Sequence, residues 1–173
     1  MTLEHLQYPI GKFEWGNTYT TEQTKKAIDE IAQLPEKLAT TAQTIIQKKL
    51  FAKSYREGAM TAEQLIHHYL DVYLNAYVRT KWLLTEPGSE IKPYDESQWI
   101  AYPCAENITE AVSFFTHLIR SWVFLLQQIP EDRFNDFLIH PEYKVKLPLH
   151  ELIAMYDWHG RHHLKHLDII INS

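Results

Sequence analysis

TTEQTKKAIDEIAQLPEKLATTAQTIIQK, residues 20–48, decides the fold class. Its apolar residues Ile28, Ile31, Leu34, Leu38, Ala42 and Ile45 recur at steps of three and four, which places them along one side of an α-helix. Thr20 followed by Gln23 has the spacing of a capping box: each side chain can bond the other residue's otherwise orphaned backbone N–H. Pro35 interrupts the stripe. Lacking an N–H, and with its ring pressing on the preceding turn, it predicts a kink or a break there.

Three more segments repeat this grammar. Thr61 with Gln64 opens a second helix that should run to about Leu84, where Glu86-Pro87-Gly88 stops it. Asn107 with Glu110 opens a third, carrying Val112, Phe115, Ile119, Trp122 and Leu126 to Pro130. A last helix begins near Pro148 and runs towards Ile171. Between the second and third lies a long connection containing Ile91-Lys92-Pro93-Tyr94-Asp95, and around His140-Pro141-Glu142 a small hairpin or a plain loop is expected. Four long helices joined by one or two long connections predict an all-α four-helix bundle that is not simply up-down-up-down. No repeat or low-complexity linker divides the chain, so residues 1–173 are read as one domain, with 1–19 as an irregular aromatic-rich arm.

Bulk properties narrow the function. Hydrophobic residues make up 45% and charged residues 23% of the 173, ordinary for a folded domain. Seventeen basic against 22 acidic residues give a formal charge of −5, and no basic run stands out, so nucleic acid is not an expected partner. The single cysteine, Cys104, excludes an internal disulfide framework and fits a reducing compartment. No secretory signal and no membrane span are legible, so a cytoplasmic setting is expected. Only five glycines occur and no phosphate-binding glycine motif is present, which argues against a nucleotide-binding α/β sheet.

The chemistry concentrates in Trp158-His159-Gly160-Arg161-His162-His163-Leu164-Lys165-His166. Residues four apart on a helix project from one face, so His159 and His163 can aim two imidazoles at one ion; His162 and His166 form a second pair. At about 100° per residue, Leu152, Met155, Tyr156 and Ile170 share a broad face with His159 and His163. His166 lies near that face and His162 towards its edge, which favours the first pair and leaves His166 open. HxxxH alone is more often a solvated surface than a metal site. Here, however, the histidines lie within the apolar stripe, where an unpartnered imidazole is costly. A third histidine is available in Leu65-Ile66-His67-His68-Tyr69: the apolar centre passes through Leu65, Tyr69, Val72 and Ala76, with His68 about a quarter turn away and His67 nearly opposite. His68 is therefore the expected ligand and His67 a surface residue. Three histidines on two helices leave coordination positions open for water or substrate, as in catalytic rather than structural sites, and such a site can activate water or a thiol. Zinc, nickel, iron and copper all accept imidazole. Asp71, Asp157 and Glu151 are candidates to orient the free ring nitrogens.

Other residues carry weaker signals. No Ser–His–Asp pattern is present, and Cys104 reads as incidental rather than as a catalytic thiol. Tyr73, Tyr77, Trp82, Phe114, Phe115 and Trp122 read as core. Arg79 and Lys81 are candidates to meet an anionic substrate, although a solvated helix face is the commoner fate.

Several separated motifs, in order, resemble the DinB-like superfamily and within it the YfiT group of metal-dependent hydrolases. They are Tyr8-Pro9-Ile10-Gly11, Tyr55-Arg56-Glu57-Gly58, His67-His68 followed by Asn75-Ala76-Tyr77-Val78-Arg79, Ile91-Lys92-Pro93-Tyr94-Asp95, His140-Pro141-Glu142 and Trp158-His159-Gly160-Arg161-His162-His163. The likeness covers nearly the whole chain; Met60 departs from it, standing where the family usually opens the helix with tryptophan. The resemblance implies a DinB-type four-helix bundle, a homodimer, and one divalent ion per chain, zinc or nickel foremost, held by His68, His159 and His163. It implies a small-molecule substrate and a hydrolase that activates water. Some relatives instead transfer low-molecular-weight thiols such as bacillithiol or mycothiol, so a metal-dependent S-transferase is the second expectation, and a metal-stabilised binding module without turnover the third.

Overall fold

Side-chain caps set where the long helices begin. In the computed structural model, which describes residues 3–173, α2 spans Thr21–Lys48 and α3 spans Ala62–Thr85. Both open on complete capping boxes: Thr20 Oγ1 accepts from Gln23 N at 3.2 Å and Thr20 N donates back to Gln23 Oε1 at 2.8 Å, with the same exchange between Thr61 and Gln64. α5, Ile108–Gln127, starts on half of such a box. Asn107 Oδ1 accepts from Glu110 N, but the Glu110 carboxylate turns to Glu106 N instead. α6 spans Leu149–Ile171 after Pro148. A one-turn helix α4, Glu96–Trp99, capped by the Asp95 carboxylate, lies in the long connection.

α2 packs chiefly on α5 and α6, and α3 on the same two, so α2 and α3 stand across a diagonal. This is the four-helix bundle expected, with the first two long helices opposite one another rather than adjacent, as are the last two. Between α5 and α6, Phe137–Ile139 (β1) and Lys146–Pro148 (β2) pair antiparallel, with Leu138 opposite Leu147. The segment around His140 is therefore a hairpin rather than a plain loop.

The stripe of α2 is buried as a block: Ile31, Leu34, Leu38 and Ile45 are wholly inside. The helix runs through Pro35 without the break that proline allows, and Pro35 is itself buried. Packing of the stripe on two helices outweighs the one missing hydrogen bond. Tyr73, Phe115 and Trp122 form core as expected, with Trp122 Nε1 donating to Thr80 Oγ1 at 2.9 Å. Tyr77 is half-buried, but Phe114 and Trp82 face outwards. Met60 packs against the core.

α3 and α6 are tied by side chain to backbone. The Tyr69 hydroxyl donates to the Gly160 carbonyl, and the Tyr73 hydroxyl to the Tyr156 carbonyl at 2.7 Å. Partners that descend on α6 as they ascend on α3 show that the two helices run antiparallel. Gly160 makes the approach possible: a Cβ there would lie 2.5 Å from the Tyr73 hydroxyl oxygen and 2.6 Å from Leu34 Cδ1. α6 thus needs a residue without a side chain at the level of the histidines.

The arm is not irregular throughout. Leu3–Gln7 form a helical turn, α1, while residues 1 and 2 of the expected arm lie outside those described. The arm runs along α6. The Leu6 carbonyl meets His166 Nε2 at 3.1 Å, the Gly11 carbonyl accepts from Trp158 Nε1 at 3.2 Å, and Gly16 N donates to the Glu151 carboxylate. No described helix is long and apolar enough to cross a membrane.

Candidate metal centre

The antiparallel pairing of α3 and α6 brings His68 opposite the His159/His163 pair. Ring centroids lie 5.4 Å apart for His68 and His159, 5.0 Å for His68 and His163, and 4.4 Å for His159 and His163. One ligand nitrogen from each of the three lies within 4.8 Å of the others. His159 Nε2 and His163 Nε2 are 3.2 Å apart. Two nitrogens each about 2.0–2.1 Å from a tetrahedral ion would be separated by about 3.3–3.4 Å, so the pair is already spaced to share one.

Burial sets the protonation state. His68 is 1% exposed, and loss of hydration pushes its pKa down to about 4. His159 and His163 are lowered well below the ordinary value, first by burial and then by the neighbouring histidines. Neutral imidazoles are the form that ligates a metal. His68 Nδ1 and His159 Nδ1 are buried without a partner.

His163 is oriented by a chain of bonds that reaches the arm. The Leu6 carbonyl can only accept, so His166 Nε2 carries a proton and donates it. Burial holds the His166 pKa down at about 4, so the ring is neutral and its Nδ1 is bare. His163 Nδ1 lies 3.2 Å from that atom and is therefore the donor between them. A neutral His163 with its proton on Nδ1 presents a bare Nε2 towards His159 and His68. His166, left open as a ligand by its position on the helix, sits one bond behind one.

The remaining histidines are placed by what covers them. His162 is 6% exposed and stacks on Trp158 at 4.5 Å, and His166 stacks on Tyr55 at 3.8 Å. His162, His163 and His166 form a second group close enough to hold an ion, but one there would have to displace the proton between His163 and His166. His67 departs from expectation, being buried at 5% rather than on the surface. The long connection meets α3 one turn beyond His67, where Cys104 Sγ donates to Asp71 Oδ1 at 3.0 Å. The same contact and burial raise the Cys104 pKa to about 12, so its reactive thiolate is scarce near neutral pH.

None of the three acids considered for orienting the ligands does so. Asp71 takes Cys104, Asp157 pairs with Arg161 at 2.8 Å, and Glu151 anchors the arm through Gly16. The role falls to His166 and a backbone carbonyl, groups for which one-dimensional spacing offers only the HxxH of His163 and His166 as a signal.

A cavity of about 830 Å³ opens beside the histidines, and His159 forms part of its wall together with Val72, Met155, Tyr156, Tyr94 and Arg79. His68 and His163 lie behind His159. Of the two cations named from the sequence, Arg79 faces this cavity, whereas exposed Lys81 lies 5.7 Å from the Tyr77 ring centroid.

Comparison with known proteins agrees with this architecture. A relative from Bacillus mycoides strain KBAB4, provisionally named a metal-dependent hydrolase, is 36% identical over 166 residues, 95% of each chain. One from Bacillus pumilus strain SAFR-032, under the same provisional name, is 35% identical over 167 residues, covering 96% of this chain and 95% of that one. Among solved structures, YfiT from Bacillus subtilis has an unusual four-helix bundle topology and is itself provisionally classed as a metal-dependent hydrolase. It matches with a TM-score of 0.89 at 28% identity, over 96% of this chain and 95% of that one. A mycothiol-dependent maleylpyruvate isomerase shares the fold at a TM-score of 0.69 and 15% identity, over 87% of this chain and 63% of that one. The family model of the DinB superfamily matches residues 21–167, and the chain belongs to that superfamily.

Proposed function

We propose that this protein is a metal-dependent hydrolase whose ion, zinc or nickel, is held by His68, His159 and His163. The observation that carries the reading is the convergence of three neutral imidazoles from α3 and α6, His68 and His163 buried and His159 half-buried, with the Nε2 atoms of His159 and His163 3.2 Å apart. A divalent ion held there would supply Lewis acidity, polarising a substrate and making water a nucleophile near neutral pH.

The chain's own residues supply the rest. His166 and the Leu6 carbonyl keep His163 in the tautomer that leaves Nε2 bare. Tyr69 and Tyr73 clamp α3 to α6, so that the three imidazoles keep their relative positions. The largely apolar wall of Val72, Ile91, Leu152 and Met155 excludes water from a small-molecule substrate, leaving His159 as the approach to the site. A second reading is S-transfer from a low-molecular-weight thiol; a structural neighbour is a mycothiol-dependent maleylpyruvate isomerase, and the cavity of about 830 Å³ has room for such a thiol. Cys104 is not the thiol in that reading, because it is committed to Asp71. Homodimeric assembly, which rests on the family resemblance, and a cytoplasmic setting, which rests on the single cysteine's fit with a reducing compartment, belong to the same proposal.

The test is metal content of untagged protein, for the unaltered chain and for His68→Ala, His159→Ala and His163→Ala. Near-stoichiometric metal, lost in each folded variant, is the expected result. An unaltered chain that neither carries metal nor takes up added zinc or nickel would sink the reading. With metal present, product release in water alone assigns the hydrolase, and thiol consumption that requires an added electrophile assigns the transferase.

A further inference from the structure

The cavity beside His159 contains a cation with no counter-ion in contact. Arg79, on α3, lines it. Its one hydrogen bond among the described residues is from Nη1 to the Tyr156 hydroxyl at 3.1 Å, and its Nε is sealed from water without a partner. The guanidinium lies over the Tyr94 ring, 5.8 Å from its centroid. No described carboxylate stands within ion-pair distance. The acid whose field it shares, Glu96, lies on the same cavity; burial raises the Glu96 pKa and Arg79 lowers it, but the two make no ion pair. A half-buried guanidinium is costly to desolvate unless an anion meets it. Here two tyrosines flank it while no carboxylate touches it, and it faces a space that also reaches His159.

We propose that the cavity binds a substrate carrying a carboxylate on an apolar body, with Arg79 holding the carboxylate and the reacting bond lying at His159. The guanidinium's planar donors match a carboxylate, which makes such a contact directional as well as attractive. Along α3, Arg79 lies eleven residues, or three turns, beyond His68, about 16 Å of helix axis. The carboxylate is therefore a handle remote from the chemistry rather than a ligand to the ion, and the apolar walls accommodate what lies between. The reacting end rests on the proposed metal-dependent reaction; the anchor does not.

The probes are octanoate and its neutral counterpart octanamide, titrated calorimetrically into the full chain both metal-loaded and after chelation. Octanoate is expected to bind at least about tenfold more tightly than octanamide in both forms. The preference should vanish in Arg79→Gln and survive in part in Arg79→Lys, with melting temperature and metal content showing that both variants fold. In the unaltered chain, octanoate but not octanamide should protect Arg79 from butanedione, read by peptide mass, which keeps the test independent of variant folding. Equal affinity for the two probes, no saturable binding of octanoate, no protection of Arg79, or a preference that persists in Arg79→Gln would each overturn the proposal. A preference that disappears with the metal would also overturn it and leave the metal site standing. An Arg79-dependent preference in a chain that takes up no metal would sustain the anchor and sink the metal reading.

Discussion

The α2–α5 side of the bundle and the α3–α6 side are built from helices of similar length and both bury apolar residues, but they differ in the polar residues they bury. Threonine 24 is the one polar residue that α2 buries, and α5 buries only apolar residues. α3 buries His67, His68, Asp71 and Thr80, and α6 buries His150, Glu151, Asp157, His162, His163 and His166. The first side gains from every buried side chain, at about 1.5–3 kcal/mol for a large apolar one. The second gives up hydration of imidazoles and carboxylates that apolar residues could have replaced. Both sides bury an apolar core, but only the second also carries a site that costs stability until something binds to it.

Metal removal tests this contrast most strongly. An ion present at a thousandfold its dissociation constant stabilises a fold by about 4 kcal/mol, so chelation should lower the melting temperature by many degrees, and His163→Ala should abolish the difference between loaded and chelated protein. Equal melting of the unaltered chain with and without its ion would break the comparison. On the other side, Ile31→Ala should cost about 2–5 kcal/mol in denaturant unfolding, through lost burial and a cavity, while metal per folded chain stays unchanged. Metal loss in that variant would show that the two halves are not separable.

Acid should act on the histidine side alone. In the metal-free chain His68 has a pKa of about 4, against about 6.5 when unfolded. Between those values the unfolded chain takes up a proton that the folded one excludes. Stability is therefore full above pH 6.5, falls as the pH drops towards 4, and levels off below. The loss for His68 is about 3 kcal/mol, and His162 and His166 add losses in the same direction. His68→Ala should flatten that part of the pH–stability curve, as followed by urea midpoints. A curve unchanged by that substitution would mean that His68 is not buried neutral.

His166→Ala removes the acceptor behind His163, and zinc affinity measured by chelator competition should fall about tenfold to a hundredfold with all three ligands in place. Unchanged affinity would show that the Leu6–His166–His163 chain does not orient the site. The smallest effect expected is at Gly160. The added methyl group collides with Tyr73 and Leu34, and overpacking costs about 1–3 kcal/mol, against about 1 kcal/mol regained in helix propensity. Gly160→Ala should thus lose up to about 2 kcal/mol in chemical denaturation and weaken metal binding as α3 moves away from α6. A stabilised variant would mean that the helices approach less closely than the Tyr73–Tyr156 bond requires.

Much of the molecule follows from local rules acting on the chain. Helix starts at Thr20, Thr61 and Asn107, the buried stripe of α2 and the shared face of His159 and His163 depend on residues within a turn or two of each other, so the 3.6-residue period is enough to find them. The same rule placed His68 near the buried face of α3. It failed for His67, which is buried although it lies nearly opposite the apolar stripe of its own helix. It also carried α2 only as far as a kink or break at Pro35, where packing keeps the helix whole.

Tertiary structure decided everything that depends on which elements meet. The diagonal placement of α2 and α3 sets α3 against α6 and so joins His68 to the histidine pair. The arm lying on α6 turns His166 from a possible ligand into the group behind one. The long connection and the hairpin wall the cavity that takes in Arg79 and leaves Lys81 outside. Helical periodicity assigns a residue to a side of its own helix, but whether that side meets water, another helix or a cavity depends on contacts between segments far apart in the chain, which no local pattern encodes.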